Sequence, residues 1–221
     1  MTDRPPRVPL GAGGFAKLTG VSRETLDRLN RYVALLDFWN RRINLVGRNT
    51  MGDVWRRHIL DSAQLFPLLP PNPRVLVDLG SGAGLPGLIL AILGVAEVHL
   101  IEADARKAVF LREAIRITDA PAIVHAERLD RVKPVTADVV TARALAPLAE
   151  LLALSERFRG PDTVCLFLKG RSVEAELTEA GKAWKMRITR SPSRSDPSGV
   201  VLRLETIARE PALGALPGDH G

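Results

Sequence analysis

The clearest chemical signature in this chain is Asp78-Leu79-Gly80-Ser81-Gly82-Ala83-Gly84-Leu85-Pro86-Gly87. Three alternating glycines lie between two apolar runs, Val75-Leu76-Val77 and Leu88 to Leu93. That order predicts a strand, a glycine-rich turn and a helix start. Glycine has no Cβ, so the turn can take positive φ and let a ligand touch main-chain atoms. The helix start adds free N–H groups suited to a polar or anionic group. Glu102 ends a second apolar run, Val98-His99-Leu100-Ile101, about 20 residues past the glycines, where a carboxylate can accept hydrogen bonds from ribose hydroxyls. A turn that binds nothing would need no such acid.

The spacing separates cofactors. A dinucleotide site is marked by G-x-G-x-x-G, whereas here Gly80-x-Gly82-x-Gly84 is followed by Pro86-Gly87. No Lys-Ser/Thr pair follows Gly87, as a phosphate-binding P-loop requires. The Asp-x-Gly-x-Gly-x-Gly form resembles motif I of the Rossmann-like methyltransferases, whose cofactor is S-adenosylmethionine.

Positioning these residues takes an alternation of strands and helices. Short apolar runs recur at Val75–Leu79, Val98–Ile101, Ile123–Val124, Asp138–Thr141 and Val164–Leu168, with helical patterns near 86–94, 105–118, 147–158 and 172–183. This is the pattern of parallel strands with crossover helices. Two last runs, Lys185–Thr189 and Gly199–Ile207, have no helix between them and read as an antiparallel edge hairpin. Gly80, Glu102, the Ala126-Glu127 pair and Arg143 each follow one of four successive strands. In an open α/β sheet they should meet in one crevice at the carboxyl ends.

Ahead of this lies a helical segment, with a cap at Ser22 and apolar positions Leu26, Leu29, Val33 and Leu36 at helical spacing. A second helix is expected from Asn49 or Thr50, carrying Val54, Trp55, Ile59 and Leu65. Pro70-Pro71-Asn72-Pro73 closes the unit. The expected organisation is a flexible tail over 1–21, a basic helical extension over 22–73, a methyltransferase domain over 74–209 and a second tail over 210–221. The fold class is α/β: a Rossmann-like class I S-adenosylmethionine-dependent methyltransferase with a mostly parallel sheet, an antiparallel edge hairpin and an N-terminal helical extension.

No apolar run approaches the ~18–20 residues of a membrane span. The first residues, with Asp3 and several prolines, do not resemble a secretory signal. The single cysteine, Cys165, excludes an internal disulfide and a cysteine-rich metal site, and it reads as a buried strand residue. These features predict a cytoplasmic protein without metal, and a monomer is expected. The net charge of +6 is unevenly placed. Residues 1–57 hold 11 Lys and Arg against 5 Asp and Glu, whereas residues 58–158 hold 10 against 12. A segregated basic surface suits a phosphate backbone, although a solvated arginine face gives the same count.

The chain resembles the glucose-inhibited division protein B family, also called RsmG. The resemblance rests on Trp39-Asn40-Arg41-Arg42-Ile43-Asn44-Leu45, Arg57-His58-Ile59-Leu60-Asp61-Ser62, the glycine turn, Arg143-Ala144 and Leu168-Lys169-Gly170. It implies methyl transfer from S-adenosylmethionine to N7 of a guanine in 16S ribosomal RNA, with the RNA or the small ribosomal subunit as partner. It places cofactor contacts at Gly80, Leu85, Ala126-Glu127 and Arg143, beside Asp78, Gly82, Gly84 and Glu102. RNA contacts are assigned to Arg41, Arg42, Arg56, Arg57 and Lys169. The basic Arg-His pair that the family carries near its last strand is missing from Asp196-Pro197-Ser198-Gly199. Arg190 to Arg194 stand nearby as substitutes.

N7 of guanine carries a lone pair and no proton, so no general base is needed and alignment can carry catalysis. The strand ending in Thr141-Ala142-Arg143 lacks the Asn/Asp-Pro-Pro-Tyr turn of amino-group methyltransferases. Arg143 is therefore assigned a positioning role through its fork of donors. His58 and Asp61, three apart on one helix face, read as a hydrogen-bonded brace between extension and core. Asp78 reads as a support for the turn. Trp39 and Trp55 read as core. Two other functions fit less well: a methyltransferase acting on a small molecule or a protein, and a non-catalytic assembly factor. The basic extension argues against the first, and the intact glycines with Glu102 against the second.

Overall fold

Runs of Val, Leu and Ile supply the strands of one sheet, and their period of two divides its faces. The computed structural model describes residues 8–210. The strands are β1 (Val75–Leu79), β2 (Glu97–Ile101), β3 (Ala122–His125), β4 (Ala137–Arg143), β5 (Arg159–Lys169), β6 (Trp184–Pro192) and β7 (Val200–Arg209). They form a seven-stranded sheet in the order β3-β2-β1-β4-β5-β7-β6. β1 to β5 pair in parallel, while β7 runs antiparallel to both β5 and β6. The antiparallel edge hairpin read from the sequence is therefore present. Leu76, Val98 and Leu100 pack into one layer, and Val77, Leu79 and Ile101 into the other.

The described helices are α1 (Ala12–Thr19), α2 (Arg23–Asn40), α3 (Asp61–Ala63), α4 (Gly87–Leu93), α5 (Ala105–Thr118), α6 (Leu148–Ser155) and α7 (Val173–Ala180). Ser22 caps α2, accepting from the Thr25 N–H at 3.1 Å. Asp104 caps α5 and accepts from Arg106 N at 2.8 Å. α4 is buried almost throughout, as its sequence Gly-Leu-Ile-Leu-Ala-Ile-Leu requires.

The extension is fastened to the sheet layer by its arginines. Arg28 Nε donates to Thr118 O (2.6 Å) and Arg28 Nη2 to Asp119 O (2.8 Å), while Arg31 Nη1 donates to Ile117 O (2.9 Å). These are last-turn carbonyls of α5 that no helix can satisfy internally. Leu29, Tyr32, Leu36 and Ile59 share one apolar cluster with Leu76, Leu88 and Phe110. The core thus runs across the proline boundary at 70–73.

Two expectations need correction. The tail assigned to 1–21 contains α1, whose Phe15 is fully buried with its ring 5.4 Å from that of Trp55. That apolar contact outweighs the cost of Gly13 and Gly14 inside the helix. Residues 1–7 and 211–221 lie outside the described residues. Glu210, grouped with the second tail, still donates its N–H to Ala183 O at 2.9 Å. The continuous second helix is also absent. A 3-10 turn at Arg48–Asp53, a wide π turn at Trp55–Leu60, α3 and a 3-10 turn at Phe66–Leu68 replace it. This succession buries Trp55, His58, Ile59 and Leu60.

Candidate active site

A cleft of about 600 Å³ opens at the carboxyl ends of β1, β2, β3 and β4. Gly80, Gly82, Leu85, Glu102, Glu127 and Arg143 line it, so residues from four strand ends converge as the alternation predicts.

The glycine loop is shaped before any ligand arrives. Gly80, Gly82 and Gly84 have φ of 63°, 57° and 83°, the left-handed region in which glycine is unstrained. The loop closes through Gly84 N to Ser81 O (2.7 Å) and Ser81 N to Ile101 O (2.9 Å). Glu102 Oε2 accepts from Gly82 N and Oε1 from Asp104 N, both at 2.8 Å. The carboxylate keeps further lone pairs for hydroxyl donors. A cradle of exposed main chain with an acid at its edge fits an adenosine-type cofactor.

Asp78 and Gly84 stand behind this surface. Asp78 is fully buried, and its Oδ1 accepts from Thr141 Oγ1 at 2.7 Å. Burial pushes its carboxyl up to about 6. A Cβ at Gly84 would lie 2.8 Å from Leu88 Cβ, so this glycine serves helix packing. Ala126 is exposed next to Glu127 and does not line the cleft.

Arg143 is held on one side. Its Nη1 lies 3.3 Å from Arg57 O, 3.1 Å from His58 Nδ1 and 3.2 Å from Asp61 Oδ2. Burial, with the Arg143 and Arg57 charges beside it, pushes His58 down to about 3. His58 is thus neutral, with Nδ1 as acceptor and Nε2–H donating to Thr50 Oγ1 at 2.7 Å. His58 and Asp61 do brace the extension, but through Arg143 rather than through each other.

The residues assigned to RNA divide. Arg41 is exposed and pairs with Asp37, and Arg42 is exposed with its guanidinium 4.0 Å from the centroid of the Phe38 ring. Arg57 pairs with Asp196 (2.9 Å) and is partly exposed. Arg56 is largely buried against Asp53 and Val8 O. Lys169 is nearly buried, with Nζ 2.7 Å from Glu176 Oε2 and 2.8 Å from Ala146 O. Its ammonium is committed to these partners in a hollow beside the cleft, so the expected phosphate contact has no free cation to use. Sequence reading missed Lys107, Arg128 and Asp130 of the cleft wall. Lys107, three residues past the Asp104 cap and so in the first turn of α5, was the one with a usable signal.

The family model of rRNA small subunit methyltransferase G matches residues 25–194. The Ribosomal RNA small subunit methyltransferase G of Rhodospirillum centenum is 60% identical over 205 residues, covering 93% of this chain and 95% of that protein. That of Rhodospirillum rubrum is 56% identical over 195 residues, covering 88% and 97%. The chain belongs to this family. Among solved structures, a putative O-methyltransferase from Klebsiella pneumoniae superposes with a TM-score of 0.59 at 12% identity, covering 88% of this chain and 96% of that one. M. jannaschii TYW2 in complex with AdoMet superposes with a TM-score of 0.54 at 17% identity, covering 69% and 76%. Both likenesses concern the fold, which is that of the Rossmann-like class I methyltransferases.

For this member of the family, Glu102→Ala should weaken binding of S-adenosylmethionine by ~1–3 kcal/mol, the range for hydrogen bonds to a charged group. Calorimetric titration measures it. Unchanged cofactor affinity with altered RNA affinity would remove Glu102 from the ribose role.

Proposed function

We propose that this protein transfers the methyl group of S-adenosylmethionine to N7 of a guanine in bacterial 16S ribosomal RNA. The observation that carries this is the convergence of Gly82, Glu102 and Arg143 on one cleft, in a chain of the rRNA small subunit methyltransferase G family. The cofactor, when bound, supplies an electrophilic methyl group on a sulfonium. Gly80, Gly82 and Leu85 shape its seat, and Glu102 takes hydroxyl donors. Arg143 orients an acceptor group at the end of β4. The nucleophile brings its own lone pair, so the cleft needs alignment more than proton transfer. The reading carries with it a cytoplasmic, monomeric protein. Among the described residues no helix is long and apolar enough to cross a membrane.

Mass spectrometry of 16S RNA from a strain lacking the gene tests the reading directly. One methyl group on a guanine N7 should be missing, and purified protein should restore it with S-adenosylmethionine. An unaltered methylation map would reject the assignment.

The RNA-facing surface is proposed at Arg41 and Arg42, with the exposed Arg48 close by in the chain. Arg28, Arg31 and Arg56 are engaged with carbonyls or Asp53, so much of the basic surplus of residues 1–57 fastens the extension. Reversing Arg41 and Arg42 to Glu should weaken RNA binding and lower its salt slope by roughly one unit for each phosphate no longer neutralised. Titrations at several salt concentrations read both quantities. Identical slopes for the variant and the parent would make these arginines a solvated face only.

A further inference from the structure

Asp61 stands where three distant parts of the chain meet. Its Oδ2 accepts from Arg143 Nη1 at the end of β4. Its Oδ1 accepts from Gln64 Nε2 (3.0 Å) and from Ser195 Oγ, on the loop between β6 and β7. The same loop is tied down three times more, once by Gln64 Nε2 donating to Ser193 Oγ at 3.3 Å. Gln64 Oε1 accepts from Arg194 N at 2.7 Å, and Arg57 pairs with Asp196. The Asp61 and Arg143 side chains are 15% and 19% exposed, so their charges are mostly shielded from water.

The guanidinium of Arg143 is used unevenly. All its contacts within the protein go through Nη1, and among the described residues Nε and Nη2 have no partner. Arg143 also lines both the main cleft and the hollow beside it, which holds about 380 Å³. A planar guanidinium anchored at one nitrogen has its remaining donors fixed in direction. His58 is neutral and Arg57 offers only a carbonyl. Among the described residues Asp61 is therefore the one carboxylate in direct ion-pair contact with this cation, while the buried Asp78 feels its charge without touching it.

We propose that Asp61 is a positioning residue for methyl transfer, which holds Arg143 by Nη1 so that Nε and Nη2 are left for the ligands of the cleft. Its second oxygen seats the β6–β7 loop against the extension, a structural tie separate from the Arg143 contact. This rests on Arg143 acting in the reaction proposed above.

The test is a double-mutant cycle on the full-length protein, reading kcat and KM for methyl transfer to small ribosomal subunits from a strain lacking the gene. Asp61→Asn should lower kcat on the order of tenfold to a hundredfold, the cost of a misaligned group. Arg143→Ala should lower it at least as far. The double variant should be no slower than Arg143→Ala alone, because Asp61 works through Arg143. Ser195→Ala removes the Ser195 hydroxyl from Asp61 and from Ser193 but leaves the Arg143 contact, and should keep kcat within about twofold. Asp61→Glu, which keeps the charge, enters a parallel cycle in case Asp61→Asn does not fold. Its longer arm should displace Arg143 and show the same lack of additivity. Additive losses would overturn the proposal, as would a Ser195→Ala defect equal to that of Asp61→Asn. A fully active Arg143→Ala would also overturn it. A parent protein inactive on these subunits is a separate result, which rejects the methyl-transfer reading itself.

Discussion

Gly82→Val should abolish binding of S-adenosylmethionine while the circular dichroism spectrum stays close to that of the parent protein. A Cβ built on Gly82 meets nothing closer than Gly80 O at 3.9 Å, so the new side chain enters open cleft rather than packed protein. It would take the space in which the cofactor must approach the main chain. The backbone at Gly82, with φ of 57°, also disfavours an L-residue by about 1–2 kcal/mol. That is small beside the ~5–15 kcal/mol stability of an ordinary domain, so the fold should survive. Gly87 provides the contrast, because a Cβ there would lie 2.6 Å from Asp78 Cβ and 2.7 Å from Leu100 Cδ2. Gly87→Ala should therefore lower the melting temperature. Calorimetric titration and thermal melts of both variants separate the two effects, and undiminished cofactor binding by Gly82→Val would defeat the site assignment.

Arg143→Ala should reduce kcat by on the order of 10²–10³, the effect of removing one donor aimed at reacting groups. It also leaves Asp61 mostly buried without its cation, a loss of ~1–3 kcal/mol in stability. Arg143→Lys divides these consequences. A lysine ammonium can meet Asp61 and restore the charge balance, but it has no second set of donors for the cleft. Its melting temperature should thus lie near that of the parent, and its activity near that of the alanine variant. Initial rates with subunits and thermal unfolding of all three proteins test the division. Full activity in the alanine variant would remove Arg143 from the reaction.

The alternation of strands and helices, the antiparallel edge hairpin and the meeting of Gly80, Glu102 and Arg143 were legible because they depend on local period and on a topological rule. β1, β2 and β4 are built on short apolar runs, and Gly80, Glu102 and Arg143 stand at their carboxyl ends. Other features depend on contacts that no local pattern encodes. Phe15 follows two glycines, and α1 gains its support from the burial of Phe15 against Trp55, with Leu10 and Ala12 packed on the same cluster. Lys169 reads as a free cation until Glu176 on α7 is folded beside it. His58 and Asp61 do share a face as their spacing predicts. Their common partner, Arg143, lies more than 80 positions further along the chain. The π turn at Trp55–Leu60 escaped because its apolar spacing is close to that of an α-helix.

The fastening of the extension has a consequence for synthesis. Residues 12–69 leave the ribosome well before the groups that hold them are made. Arg28 waits 90 residues for Thr118, Gln64 waits 130 for Arg194, and Arg57 waits 139 for Asp196. Apolar side chains such as Leu29 and Ile59 have no sheet to cover until β1 and β2 exist. These helices must therefore remain undocked until those later segments are made, an interval in which exposed apolar surface is open to aggregation. The β6–β7 loop is made after every residue that lines the cleft, so the Asp61 junction is completed later than the site it borders.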